Sequence, residues 1–399
     1  MQKKSLIPSR NFERSEFERR VLNIQKILIK RNVNILLLSS EADIRYFTGF
    51  MTQFWQSPTR PWFLLIKPEG APIAIIPSIG VPLMEDCYVE RIHSWSSPAE
   101  HNDGIGLLLN ILKKEIGTKA GRLGLLMGRE TSFRAPLLDI FEIQSKMGAV
   151  ELVDLTSEIQ RLRMIKSESE IEKIRYVCSL VSNIFDDLSN WVRPGLPLSE
   201  LFRTFKIKAL SAGVDDVSYL VGAANSGGYF DIIAPPNDTP LKTGDIFMLD
   251  TGCLWDGYFC DFDRNFALGI ATDDAQAAHH KLIDATNAAA TSIKPGVTKC
   301  KDLFYTMNRV LYPNTDKAFL EKDDVGRYGH GVGSQLTEPP SHTSWDNTTI
   351  ESGMTLTLEP SINYGSQNFL MVAEENILVK ETTIEFLSQP CDRDLKVIK

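Results

Sequence analysis

The chain has 399 residues, a net charge of −8 at pH 7 and a pI near 5.4. No block of basic residues occurs, which excludes nucleic acid and anionic membrane surfaces as natural partners, and the apolar runs such as "ILLL" and "FLLI" are strand-length rather than membrane-length. A chain this long accommodates two or three domains with ample residues to bury their cores.

The opening segment "MQKKSLIPSRNFERSEFERR" lacks the apolar centre of a secretory signal. Cys87, Cys178, Cys253, Cys260, Cys300 and Cys391 are dispersed without CxxC spacing. Together these predict a cytoplasmic protein with reduced thiols. An apolar periodicity predicts a helix over about 15–32, then the strands "VNILLLSS", "WFLLIKPEG" and "PIAIIP", the last two joined by the turn-rich "KPEGAP", and a helix near 104–116. Helices alternating with strands make residues 1–157 an α/β N-terminal domain. Within it, "GFMTQFWQSPTRPWFLLI" gathers Phe54, Trp55, Arg60 and Trp62. Aromatic rings interleaved with one arginine suit a small anionic or quaternary-ammonium ligand; the alternative is a surface arginine beside ordinary core aromatics. His93 and His101 read as solvent-facing loop residues.

Residues 158–399 form the second domain. Ser167 and Glu170 are an S-x-x-E capping box for a helix whose apolar face includes Ile171, Ile174 and Val177. Pro194-Gly195 breaks that helix and another begins near Ser199. The runs 245–252 and 257–267 are separated by "LWDG", whose Asp256-Gly257 is a good hairpin turn. A hairpin centred on Trp255-Asp256 sets Asp250 opposite Asp261, and strand alternation turns Asp261 and Asp263 to the same side. Cys253 and Cys260 flank the turn and read as buried structural thiols. A helix over 273–292 carries His279 and His280, expected on its surface.

Five side chains stand in distinctive phrases: Asp250 in "MLDTG", Asp261 in "GYFCDFDRN", His330 in "YGHGVG", Glu359 in "LTLEPSINYG" and Glu374 in "MVAEENILV". Four carboxylates cannot stay ionised together in a cleft without a cation between them. With one imidazole they make an oxygen-rich donor set suited to Mn, Co, Zn or Fe. Gly329 and Gly331 let the backbone beside His330 approach a ligand closely. Glu359 ends the run "MTLTLE" and Glu374 precedes "NILVK", placing both on rigid strands. His342, in the loop "EPPSHTSWDN", is either a proton-carrying catalytic residue or a turn residue that never reaches the metals.

On these phrases, together with "RLRMIKSESEIEKIR" and the N-terminal "ADIRYFTGF", the chain resembles the pita-bread metallohydrolases that include creatinase, prolidase, aminopeptidase P and methionine aminopeptidase. The resemblance implies an α/β creatinase-like N-terminal domain followed by an α+β pita-bread catalytic domain. It implies two divalent ions held by Asp250, Asp261, His330, Glu359 and Glu374, with Asp261 and Glu374 bridging and Glu359 collecting the proton. It also implies a homodimer in which Arg60 reaches the substrate from the partner subunit, as creatinase-like proteins do; Trp55, among the aromatics beside it, is a further substrate-binding candidate. The implied reaction is hydrolysis of an amide-like C–N bond in a small molecule, either an Xaa-Pro peptide or a non-peptide metabolite of the creatine or ectoine kind.

The departures from the family pattern bear on that choice. Ile233 and Thr337 stand where peptidase relatives carry histidines, and Val372 where they carry an arginine. Asp263 replaces a small hydroxyl residue. It either orients a ligand or pairs with Arg264, or it is a further carboxylate that alters the charge of the metal site. A second reaction class is elimination: the dimethylsulfoniopropionate lyase branch has a comparable "GHG…QLTE" phrase, but an extra aspartate where this chain has Gly252. A non-enzymatic binding module is the third reading; such relatives generally lose the ligands that are present here.

Overall fold

The computed structural model describes residues 7–57, 60–117, 121–314 and 326–399. The chain divides into two compact units, one formed by Ser9–Arg163 and the other holding Met164–Lys399, the division falling within the helix Thr156–Met164.

The first unit is α/β. Its sheet runs Arg91–Trp95, Ile73–Pro77, Phe63–Ile66, Ile35–Leu38, Arg122–Leu125, Glu151–Asp154. The expected hairpin is present, with Phe63 opposite Ile75 in an antiparallel pair. Because side chains alternate along a strand, Leu36, Leu38, Leu64 and Ile76 enter one core while Ile35, Leu37, Phe63 and Ile75 enter another on the opposite face. The helix Arg14–Lys30 closes the first core with Val21, Ile24 and Leu28, spaced three and four apart, and Ile105–Ile116 closes the second. His93 lies within the strand Arg91–Trp95, paired with Ile75, rather than in a loop.

The second unit is α+β. Its helix Glu168–Asp187 starts on the expected capping box: Ser167 Oγ accepts from Glu170 N, and the Glu170 carboxylate accepts from Ser167 N at 2.9 Å. Ile171, Ile174 and Val177 are buried as predicted. One sheet orders Lys396–Ile398, Phe262–Leu268, Asp245–Trp255 and Asp216–Ser226. A second orders Glu338–Ser341, His330–Gly331, Thr355–Leu358, Glu375–Val379 and Ile384–Phe386.

Two expectations fail here. Asp256 (φ 47°) and Gly257 (φ 81°) both have left-handed backbones, so they are the central pair of the turn and Trp255 pairs with Tyr258. The register therefore sets Asp250 opposite Asp263, not Asp261. His279 is buried rather than on the surface, its Nε2 3.0 Å from the carbonyl of Asp392, while His280 reaches Asp394 at 2.9 Å. Among the described residues, no helix is long and apolar enough to cross a membrane.

Candidate metal centre

Asp250 sits on the strand Asp245–Trp255, and Asp261 precedes the strand Phe262–Leu268 paired with it. His330 opens a two-residue strand, Glu359 follows the strand Thr355–Leu358, and Glu374 precedes Glu375–Val379. Strands of two sheets and the residues that flank them thus deliver all five side chains to the wall of one cavity of about 800 Å³. Asp261, His330 and Glu374 offer donor atoms within 4.8 Å of one another. His330 Nε2 lies 3.5 Å from Asp261 Oδ2 and 3.6 Å from Glu359 Oε2. Its Nδ1 lies 2.9 Å from Gly331 O, which assigns the proton to Nδ1 and leaves the Nε2 lone pair facing the carboxylates.

The supports are buried and paired. Asp261 N donates to Asn376 Oδ1 at 2.9 Å, the Asn376 amide donates back to Asp261 O, and His330 N donates to Thr357 Oγ1 at 3.0 Å. Arg264, also buried, donates to Glu374 O at 3.0 Å and to Glu375 Oε2 at 2.9 Å, tying the strand after Asp261 to the segment bearing Glu374.

The acids themselves are not satisfied. Burial, then the charge of Glu359, pushes the Asp250 carboxyl up to about 7. Burial, then Asp250, raises Asp261 well above the carboxylate range, and burial, then Asp261, does the same to Glu374. Among the described residues, the buried carboxylate oxygens that lack a hydrogen-bond partner are Asp250 Oδ1, Asp263 Oδ2 and Glu374 Oε1, all belonging to residues that line this cavity. Orphaned carboxylate oxygens converging beside an imidazole lone pair fit divalent cations.

The remaining candidates divide. His342 is fully buried and does not line the cavity. It packs on Gly329, where a Cβ would meet its ring at 2.3 Å, and its Nε2 lies 3.1 Å from Thr357 O. Burial, reinforced by His330, drives its pKa down to about 3, so this is a neutral structural imidazole rather than a proton carrier facing the substrate. Trp55, expected at the substrate, belongs to the core of the first unit: it is 8% exposed and packs against Phe50 and Trp62, with ring centroids at 6.2 and 5.6 Å. Arg60 is half-buried, its guanidinium 5.0 Å from the Phe54 ring centroid. Ile233, Thr337 and Val372, the three expected departures from the peptidase pattern, all line the cavity.

Among the lining residues that sequence reasoning missed, two stand with the expected ligands. Arg327 Nε stands 3.6 Å from Glu359 Oε1, and Tyr219 lines the cavity with Asp250. Arg327 lies three positions before His330 in "GRYGHG", which was a usable signal; Tyr219 is placed by a strand pairing, opposite Gly252, that no local phrase announces.

Comparison with known proteins agrees with this arrangement. A Creatinase/Prolidase N-terminal domain matches residues 20–165, and metallopeptidase family M24 matches residues 172–381. The methionine aminopeptidase of Buchnera aphidicola subsp. Baizongia pistaciae is 30% identical over 208 residues, covering 48% of this chain and 74% of that protein. Several staphylococcal peptidases match at 28–30% identity over only 42% of their length. The prolidase from Thermococcus sibiricus shares the fold with a TM-score of 0.83 at 21% identity, covering 96% of this chain and 99% of that one. The N-terminal domain of the FACT complex subunit SPT16 from Cicer arietinum also shares it, with a TM-score of 0.76 at 15% identity over 97% of this chain and all of that one, so the fold alone does not carry an activity. The α+β unit has the pita-bread fold, and the chain belongs to metallopeptidase family M24.

Proposed function

We propose that this chain is a metal-dependent hydrolase that cleaves an amide-like C–N bond in a small substrate, with two divalent ions (Mn, Co, Zn or Fe) held by Asp250, Asp261, His330, Glu359 and Glu374. The observation that carries this reading is the set of orphaned buried oxygens, on Asp250, Asp263 and Glu374, opening into one cavity beside His330. When bound, the ions supply Lewis-acid polarisation of the carbonyl and an acidified water. Asp261 and Glu374, buried and fixed by Asn376 and Arg264, are the proposed shared ligands. Glu359 is the proposed acceptor of the proton of the attacking water and its donor to the leaving nitrogen, a reading supported by its 19% side-chain exposure against 6% for Asp261. Arg327 sets a positive charge beside Glu359, its Nε 3.6 Å from Glu359 Oε1.

The family's prolidase and dipeptidase members make Xaa-Pro peptides the default substrate class. The apolar Ile232, Ile233, Leu336, Leu370 and Val372 on the cavity wall favour instead a non-peptide amide. An elimination reaction finds no support: Leu336 fills the space at Gly252, where a Cβ would meet its Cδ1 at 2.1 Å, and where the lyase branch would place its extra aspartate. A cytoplasmic homodimer with Arg60 acting from the partner subunit completes the proposal, resting on the creatinase-like pattern and the dispersed thiols.

Metal-loaded protein incubated with Xaa-Pro dipeptides, creatine and ectoine, with products followed by mass spectrometry, tests the reading. Each missing polar contact costs about 2–4 kcal/mol, or roughly 10²–10³ in rate, so peptide turnover should fall far below that of the true substrate. A kcat/KM on an Xaa-Pro dipeptide typical of a good enzyme would refute the non-peptide preference.

A further inference from the structure

Asp263 is 1% exposed and lines the same cavity as the five expected ligands. One of its oxygens, Oδ1, accepts from the backbone N–H of Glu374 at 2.6 Å, so the side chain is clamped to the segment that carries an expected ligand. The other, Oδ2, is one of the three buried carboxylate oxygens without a partner among the described residues. The remaining two belong to Asp250, which faces Asp263 across the strand pair, and to Glu374.

Arg264 does not account for this carboxylate. Its guanidinium donates to the main-chain carbonyls of Asp263, Glu374 and Gln389 and to the side chain of Glu375, and lies over the Phe262 ring with 4.8 Å to its centroid. The pairing of Asp263 with Arg264 considered from the sequence is thus replaced by an Arg264–Glu375 pair. A buried carboxylate oxygen that faces a second carboxylate and is given no donor is stable beside a cation and costly without one.

We infer that Asp263 is a sixth protein ligand of the metal centre, presenting Oδ2 to the ion it shares with Asp250. The inference rests on the metal-centre reading above and adds to it a donor in a position where the family pattern has a small hydroxyl side chain. An additional carboxylate tightens the hold on a hard, oxygen-seeking ion such as Mn²⁺ and lowers the Lewis acidity of that ion. The centre of this chain is accordingly built for retention of metal more than for maximal polarisation.

The test uses the full-length protein stripped of metal, with Asp263→Asn, Asp263→Ser and Asp261→Asn beside the wild type. Mn²⁺ binding is followed by titration calorimetry, and melting temperature is measured with and without Mn²⁺. Asp263→Asn keeps an oxygen for the Glu374 N–H while removing the charge. It should melt higher than wild type when metal-free, bind Mn²⁺ at least tenfold more weakly at one of the two sites, and gain less in melting temperature on adding Mn²⁺. Asp263→Ser, which removes the carboxylate altogether, should show the same weakened site and serves if the asparagine variant does not fold. Unchanged Mn²⁺ affinity in the Asp263 variants, with a loss in Asp261→Asn, would overturn the sixth ligand alone. Two ions retained at full affinity by Asp261→Asn would overturn the metal-centre reading itself.

Discussion

In the six-stranded sheet of the first unit, Leu36 and Leu64 on one face and Ile35 and Phe63 on the other have no exposed surface, whereas around the cavity of the second unit the buried positions include Asp261, Asp263, His330 and Glu374. Both regions are held on strands. Each buried aliphatic or aromatic side chain in the first contributes about 1.5–3 kcal/mol of transfer free energy and asks for no partner. Each buried carboxylate in the second costs stability unless a cation or donor meets it, and three oxygens there have no hydrogen-bond donor among the described residues. One region is built for stability, the other gives up stability for a site, and the two should respond to mutation in opposite ways.

The largest effect is expected at Asp261 and Glu374. Replacing either with alanine should remove at least one ion and nearly all turnover, roughly 10⁴-fold or more, while the metal-free protein loses a buried acid crowded by other carboxylates and holds or gains stability. Elemental analysis and melting curves of the two variants check this; unchanged metal stoichiometry in both would sink it. Leu64→Ala should do the reverse, costing about 2–5 kcal/mol in denaturant unfolding with metal stoichiometry unchanged. The smallest of the three effects concerns Arg60: if it forks onto a substrate carboxylate from the partner subunit, Arg60→Ala should cost about tenfold to a hundredfold in kcat/KM and Arg60→Lys should fail to restore it. Mixing Arg60→Ala with Asp261→Ala should then recover some activity in heterodimers, and subunit exchange without recovery would leave Arg60 a surface residue.

Local features were legible in the sequence and long-range ones were not. The capping box at Ser167 and Glu170 and the apolar spacing of Ile171, Ile174 and Val177 are properties of neighbouring residues, and the helix formed as they dictate. The continuous apolar runs "ILLL" and "FLLI" showed strand-length segments, and every residue of both is buried, as expected of strands covered on both faces. The hairpin register was misplaced by two residues because it depended on which dipeptide adopts the left-handed turn, and Asp256-Gly257 does so rather than Trp255-Asp256. That shift changes the partner of Asp250 from Asp261 to Asp263, and with it the reading of Asp263. His279 and Trp55 were misread for a common reason: a polar or amphipathic side chain in a local phrase does not reveal the surface that tertiary packing lays over it, here the Asp392 carbonyl for His279 and the Phe50 and Trp62 rings for Trp55.

Neutralisation of the acidic cavity by cations is the central claim about this protein, and metal content measures it directly. Protein purified without chelator and analysed by inductively coupled plasma mass spectrometry should carry close to two divalent ions per chain, and chelation should abolish turnover and lower the melting temperature, with Mn²⁺ or Co²⁺ restoring both. A chain that holds no divalent metal after exposure to these ions, with a melting temperature indifferent to chelator, would contradict it.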